Sequence, residues 1–202
     1  IIVYSIEVAL KSGLFDEVMV STDDPEISEI AQSYGAKVPF MRSDKNSDDY
    51  TGTLEVLNEV LEEYKKQGKQ FNYLCCFYPA SPLVNVQTLT KGFELLTKGR
   101  YNTTFPVCAY STPIQRALKI TNGKIGMFHP EHRYSKSQDL EPAYHDAGQF
   151  YWLDIAKTKE DQRIYSDNSG ILVLEDDVVQ DIDNLGDWKL AELKYKLLHG
   201  IS

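Results

Sequence analysis

Two aspartates near the end of the chain offer the plainest chemistry. The stretch Val178-Val179-Gln180-Asp181-Ile182-Asp183-Asn184-Leu185-Gly186-Asp187-Trp188 follows an apolar run, Ile171 to Leu174, and precedes a long amphipathic segment. On an extended strand, residues two apart point to one side, so Asp181 and Asp183 present their carboxylates together while Ile182 turns inward. A carboxylate pair at a strand end suits a hard cation such as Mg²⁺, shared with substrate phosphates. The competing reading is structural. Asn184 and Asp187 have capping-box spacing, with Asp in place of the usual Glu or Gln, so that Asp183 or Asn184 merely starts a helix.

A second concentration of chemistry runs from Ser137 to Trp152, SQDLEPAYHDAGQFYW. It combines hydrogen-bonding side chains with aromatics, a composition suited to gripping a polyhydroxylated ligand. Its structural alternative is that His145 and Asp146 pair with each other and pin the segment. Three further stretches are candidates. Ser21-Thr22-Asp23-Asp24 is explained as well by helix capping, with Pro25 at the first helical position. Arg42 precedes Ser43, Asp44, Ser47, Asp48 and Asp49, which equally describe a solvated loop. Tyr78-Pro79-Ala80-Ser81-Pro82 is a rigid turn able to hold backbone groups against a base or sugar. The chain lacks G-x-x-x-x-G-K-[ST] and G-x-G-x-x-G, so the common phosphate-cradling loops are absent from it. No nucleophile elbow is present either.

The elements that must position these groups follow from periodicity and punctuation. Ile2, Ile6, Ala9 and Leu10 recur at helical spacing and stop at Gly13. Glu17 to Ser21 reads as a buried strand, Asp24 caps a helix that ends at Gly35, and Lys37 to Met41 reads as a strand. A helix over Thr53 to Lys66 precedes the almost wholly apolar strand Tyr73 to Phe77, the pattern of a sheet covered on both faces. A helix from Val86 to Lys98 and a strand from Thr103 to Cys108 continue the alternation. That alternation predicts a parallel α/β sheet with right-handed crossovers. The rhythm then breaks. Ala117 to Thr121 and Lys124 to Phe128 flank Asn122-Gly123 as a hairpin, and His129 to Tyr144 is irregular. Gln149 to Leu153 and Ile171 to Leu174 resume as strands, with a short helix at Ile155 to Asp161 and a final helix from Asn184 to Leu198. The excursion over 110–149 is too long for a simple connection.

Composition sets the outer limits. A chain of 202 residues with 42% hydrophobic content predicts one domain, 1–202, with a real core. Its 21 Lys and Arg against 30 Asp and Glu give a net charge of −9, which argues against a nucleic-acid backbone as partner. Cys75, Cys76 and Cys108 have no metal or redox spacing and predict free buried thiols in a reducing cytoplasm. No apolar run reaches membrane-spanning length. The start, Ile1-Ile2-Val3-Tyr4, falls within a helix.

These residues together resemble the acylneuraminate cytidylyltransferases, enzymes that make CMP-activated nine-carbon acid sugars. The resemblance rests on Ser21-Thr22-Asp23, Gly35 to Arg42, Ser47-Asp48-Asp49, Tyr78 to Pro82, Ser137 to Tyr151 and Gln180 to Asp183. The Gln138 to Tyr151 block is its most specific part and points to the pseudaminic acid branch. The resemblance implies an α/β, Rossmann-like, mostly parallel sheet flanked by helices, of the nucleotide-diphospho-sugar transferase type. It also implies a protruding arm, the 110–149 insert, that joins a homodimer. The implied reaction is attack of the sugar's anomeric hydroxyl on the α-phosphate of CTP, releasing pyrophosphate. Carried over by position, Arg42, Asp49 and Thr53 lie around the cytidine, and Asp181 and Asp183 hold Mg²⁺ and serve catalysis. Tyr78, Gln115, Arg116, Gln138, Tyr144, His145, Asp146 and Gln149 line the sugar pocket, with Arg116 on the sugar carboxylate. The family begins with a strand and a basic, glycine-containing phosphate loop, so roughly 20–30 residues are expected ahead of Ile1. Rival readings are a metal-dependent glycosyltransferase, a cytidylyltransferase for another acid sugar, and a non-catalytic nucleotide-binding remnant.

Overall fold

A computed structural model describes residues 1–201 of the chain. Helix α1 (Ile2–Ser12) stops at Gly13 in the left-handed conformation. Helix α2 (Pro25–Ser33) starts where expected, its N-cap Asp24 accepting from the backbone N–H groups of Glu26 and Ile27. Helix α3 spans Thr53–Lys66, strand β1 Tyr73–Phe77, helix α4 Val86–Gly99 and strand β2 Thr103–Ala109. The hairpin consists of β3 (Leu118–Thr121) and β4 (Lys124–Met127). Asn122 and Gly123 between them both have positive φ, the backbone that a two-residue primed turn requires. Strands β5 (Tyr144–Asp146) and β6 (Phe150–Asp154) lead to helix α5 (Ile155–Asp161), strand β7 (Ser169–Leu174) and helix α6 (Leu185–His199).

The architecture is α/β, but the expected mostly parallel sheet is corrected. Strand β6 runs antiparallel to both β1 and β2, and β5 runs antiparallel to β2; only β7 pairs parallel to β2 among the named strands. The physical reason is the connection. Parallel neighbours need a crossover, whereas β5 and β6 arrive from the hairpin insert and are free to enter from the opposite end. The two early strands are also weaker than expected. Val18 to Val20 and Lys37 meet in a single parallel bridge at Met19 and Lys37, with Lys37 N–H donating to Val18 O and Val20 N–H to Lys37 O, each at 2.9 Å.

Strands β5 and β6 share one edge of β2, because β7 occupies the other over Thr103 to Cys108. The register reveals a bulge. Thr104 faces Trp152 and Val107 faces Asp146, so Ala147, Gly148 and Gln149 form an excursion between the paired segments. Every residue from Phe150 to Leu153 is buried, which makes β6 a central strand. Phe150 and Trp152 pack with Leu89, Leu96 and Val84, against Phe15, Phe77 and Phe93. The Trp152 indole N–H donates to Leu89 O at 3.1 Å. Burying each of these large side chains contributes about 1.5–3 kcal/mol. Tyr151 and Leu153 point to the opposite face, where a small cavity lies between Leu153 and Leu54, Leu57 and Leu61 of α3.

Helix α6 docks by a face other than its leucine stripe. Ala191 is buried, the Tyr195 ring lies edge-on to Tyr4, and Lys194 reaches back to the chain before the helix. Leu190, Leu193 and Leu197 remain exposed. The three cysteines are free thiols, and no helix among the described residues is long and apolar enough to cross a membrane.

Candidate active site

The bulge at Ala147 to Gln149 is where the Tyr78 to Pro82 turn, the block around His145 and the tail meet. Its backbone is held from three sides. Ala147 N–H donates to Pro106 O at 3.1 Å and Tyr78 N–H to Gln149 O at 2.9 Å. The buried Ser81 hydroxyl donates to the carbonyls of Gly148 at 3.2 Å and Gln149 at 3.4 Å. The prolines flanking Ala80 and Ser81 thus fix a turn whose groups support the bulge directly. Gly148 has φ +63°, a conformation that glycine adopts without steric penalty.

The tail carrying the paired aspartates is fixed against this bulge. Gln149 Nε2 donates to Val178 O at 2.7 Å. Lys194 Nζ donates to Val179 O at 2.7 Å and to Asp176 O at 2.6 Å. On the far side, Asp187 accepts from the N–H groups of Asp183 and Asn184, each at 3.1 Å, while Asn184 accepts from those of Gly186 and Asp187. The capping box is therefore real. It excludes nothing at the aspartates, because the cap uses Asn184 and Asp187 and leaves both candidate carboxylates uninvolved. One detail differs from expectation. A short 3₁₀ turn, Asp176–Val178, separates β7 from the aspartates, so they lie in an irregular stretch outside the sheet, with Asp183 in a bend, and not at a strand end. Asp181 and Asp183 are exposed and Ile182 is half-buried.

Asp181 comes to the recognition block. A Cβ built on Gly148 would lie 3.6 Å from Asp181 Oδ1 and 4.0 Å from Oδ2. No side-chain hydrogen bond among the described residues engages the carboxylate of Asp181 or Asp183. Two free, exposed carboxylates are oxygen donors of the kind Mg²⁺ takes when phosphates and water complete its shell, so the donor set fits that ion. No larger cluster of His, Cys, Asp and Glu suited to a metal occurs among the described residues.

Asp146 is anchored at the same glycine as Asp181. Its Oδ1 accepts the Gly148 N–H at 2.8 Å and its Oδ2 the Tyr151 hydroxyl at 2.6 Å. Burial, then the hydrogen bond and charge of Asp146, push the Tyr151 phenol well above its ordinary range. The Tyr151 ring packs against Tyr78, with centroids 5.3 Å apart, and the Tyr78 hydroxyl meets Thr53 Oγ1 at 3.4 Å. His145 sits edge-on to Tyr110, and its Nδ1 contacts Asp146 O at 2.9 Å. A carbonyl only accepts, so Nδ1 carries the proton there and Nε2 is the free position. Tyr144, on the same strand, is exposed.

The remaining expected residues are placed as follows. Gln149 is placed differently from expectation, since its side chain is 3% exposed and directed at the tail. Its Oε1 is buried without a partner. Arg42 donates through Nε to Ser21 Oγ at 3.1 Å and also to Ser21 O, and its backbone N–H donates to Thr22 O. Arg42 and the Ser21 to Asp24 stretch therefore form one unit. Asp49 is exposed, while its neighbour Asp48 builds the turn by accepting from Tyr50 and Thr51. Gln115 Nε2 donates to Glu141 O at 2.8 Å, and Arg116 Nη1 to Ser137 Oγ at 3.2 Å. These bonds tie the insert to itself, with Gln138 exposed nearby. Tyr151 and Ser81 carry the largest structural roles that motif reasoning did not assign. The prolines beside Ser81 were its only signal, and Tyr151 lay inside the Ser137 to Trp152 block without a role of its own.

Comparison with known proteins identifies the family. The sequence profile of the cytidylyltransferase family matches residues 1–181. A "Pseudaminic acid cytidylyltransferase" of Campylobacter jejuni subsp. jejuni serotype O:2 is 40% identical over 200 residues, covering 98% of this chain and 86% of that protein. A Helicobacter pylori protein named "Pseudaminic acid cytidylyltransferase and UDP-2,4-diacetamido-2,4,6-trideoxy-beta-L-altropyranose hydrolase" is 35% identical over 190 residues, 94% of this chain and 36% of its own length. A solved CMP:2-keto-3-deoxy-manno-octonic acid synthetase complexed with CTP superposes with a TM-score of 0.65 over 99% of this chain and 88% of its own. At 13% identity it speaks for the fold alone. Because the profile takes in Arg42, the bulge and the first of the paired aspartates, and a relative covered over 86% of its own length is 40% identical, the chain belongs to the cytidylyltransferase family.

Proposed function

We propose that this chain transfers CMP from CTP to the anomeric hydroxyl of a nine-carbon acid sugar, pseudaminic acid, releasing pyrophosphate. The observation that carries the reading is the Asp181 carboxylate lying against Gly148, inside the block that also presents Asp146 and His145. A carboxylate available for a cation and side chains suited to a polyol are thereby side by side. The activity named for the two relatives supports pseudaminic acid over another acid sugar.

The chemistry is phosphoryl-transfer chemistry, in which the protein positions two anions and neutralises charge with little covalent work of its own. The sugar hydroxyl oxygen forms a bond to the α-phosphorus and releases its proton to solvent, the bond from that phosphorus to the bridging oxygen breaks, and pyrophosphate leaves with the electron pair. Asp181 and Asp183 hold Mg²⁺, which when bound supplies Lewis-acid neutralisation of the phosphate charge. Arg42, Asp49 and Thr53 surround the cytidine. The sugar lies along Tyr144, His145 and Asp146 against Tyr78, with Gln115, Arg116 and Gln138 contributed by the insert. Arg116 takes the sugar carboxylate, for which a planar guanidinium fork is suited. The 110–149 insert is the arm that joins two copies, and its hairpin exposes Leu118, Ile120 and Ile125 for that contact.

The test is pyrophosphate release from CTP and pseudaminic acid in the presence of Mg²⁺. Pyrophosphate and a CMP-sugar are expected. Asp183→Asn is expected to lower turnover by at least about a hundredfold, given the charge stabilisation lost with a metal ligand, while circular dichroism remains native. Near wild-type turnover in that variant defeats the metal assignment. Consumption of a nucleotide sugar without pyrophosphate favours a glycosyltransferase, and preference for a different acid sugar in a substrate panel moves the specificity.

A further inference from the structure

We infer that Tyr151 is a positioning residue that fixes Asp146 for the sugar. The inference rests on the proposed reaction and adds a residue and a role to it. Tyr151 lies on β6, where it is 4% exposed, although the residues around its hydroxyl are those of an open site. A buried phenol needs a partner for its O–H, and this one donates to Asp146 Oδ2 at 2.6 Å. Asp146 is exposed, and its other oxygen already accepts the Gly148 N–H. The two bonds act together. With Gly148 N–H alone, the carboxylate could swing about that single contact; with both oxygens held, its plane is fixed. An ionised carboxylate has about four acceptor positions, so two remain to receive a hydroxyl or amide N–H from the substrate.

The ring is itself held in place. It packs on Tyr78 on one side and on Phe105 on the other, at 5.3 Å and 5.6 Å between centroids. The Tyr78 hydroxyl contacts Thr53 at the start of α3. A line of side chains thus runs from Asp146 through Tyr151 and Tyr78 to Thr53 and fixes where the Tyr151 hydroxyl sits. Tyr151 touches neither substrate in this arrangement and acts through Asp146.

The experiment uses steady-state kinetics of the full chain with CTP and pseudaminic acid, comparing wild type, Tyr151→Phe, Asp146→Asn and the double variant. Tyr151→Phe is expected to raise KM for the sugar about tenfold, the effect of losing one hydrogen bond to a charged group, with KM for CTP little changed. Asp146→Asn is expected to raise KM for the sugar as well, and adding Tyr151→Phe to it is expected to do nothing further, because both changes remove one interaction. A wild-type KM for the sugar in Tyr151→Phe overturns the inference, as do equal shifts in both KM values or additive effects in the double variant. A Tyr151→Phe protein that does not fold also overturns it, by making the hydroxyl a requirement of the core. Absence of pyrophosphate with the wild type is seen before any variant is compared; it removes the proposed reaction and this inference with it.

Discussion

Glu17 takes no part in the proposed chemistry, yet it holds together segments that the chemistry needs. Its carboxylate accepts from Lys37 at 3.1 Å, Lys69 at 2.8 Å and the Tyr64 hydroxyl at 2.6 Å. Those contacts join the start of the first extended segment to the second and to the end of α3. Burial raises its pKa, but the hydrogen bonds from Lys69, Tyr64 and Lys37, with the charge of Lys37, outweigh burial and hold it at about 2 against an ordinary 4.5. A depressed carboxylate pKa stabilises the folded state above the unfolded value, and the contribution fades as pH falls from 4.5 towards 2. Glu17→Gln is therefore expected to lower unfolding free energy by about 2 kcal/mol at pH 7, after discounting for solvent around the lysines. Urea unfolding of both proteins from pH 7 to pH 3 measures it. A gap that stays constant down to pH 3 would show that the carboxylate charge is not what matters.

Among the elements, the excursion between β5 and β6 matters most to the site. It shifts the β2 pairing by the length of Ala147 to Gln149 and brings Asp146, Gly148 and Tyr151 to one place. Its conformation depends on a positive φ at Gly148, where a side chain costs about 1–2 kcal/mol. Space is available, since the added Cβ would meet Asp181 only at ordinary contact distance. Gly148→Ala is thus expected to lose about 1–2 kcal/mol through its backbone, read as a lower urea midpoint. An unchanged midpoint would mean that the bulge adopts another conformation in solution. The tail shows the complementary device, in which the capping box of α6 fixes Asp183 by its backbone and leaves its side chain free.

At the scale of the molecule, the apolar surface is uneven. Ile120 and Ile125 on the hairpin are 79% and 74% exposed, and a paired hairpin with both faces in water is marginal on its own. The proposed dimer would cover it. Sedimentation velocity is expected to give a dimer for the wild type and a monomer for Ile120→Asp combined with Ile125→Asp, since each buried charge in an apolar contact is strongly unfavourable. A wild-type monomer at assay concentration, or a dimer unaffected by the two charges, removes the arm from the interface. The exposed Leu190, Leu193 and Leu197 of α6 form a separate apolar face.

Much of the chain was legible because local rules govern it. Asp24 with Pro25, Thr53 to Lys66, Asn122-Gly123 and the Asn184 cap each follow from capping, periodicity or turn chemistry acting within a few residues. The two aspartates and the block around His145 could be named as candidates for the same reason: their chemistry resides in residue type and spacing. Strand direction could not be read, because a run such as Phe150 to Leu153 is equally apolar in either orientation, and its antiparallel pairing was decided by how the insert returns to the sheet. Nor could the sequence show that Asp181 rests on Gly148, that Gln149 turns inward to Val178, or that Tyr151 reaches Asp146. Those relations depend on hydrogen-bond geometry between segments, and only the assembled sheet sets it.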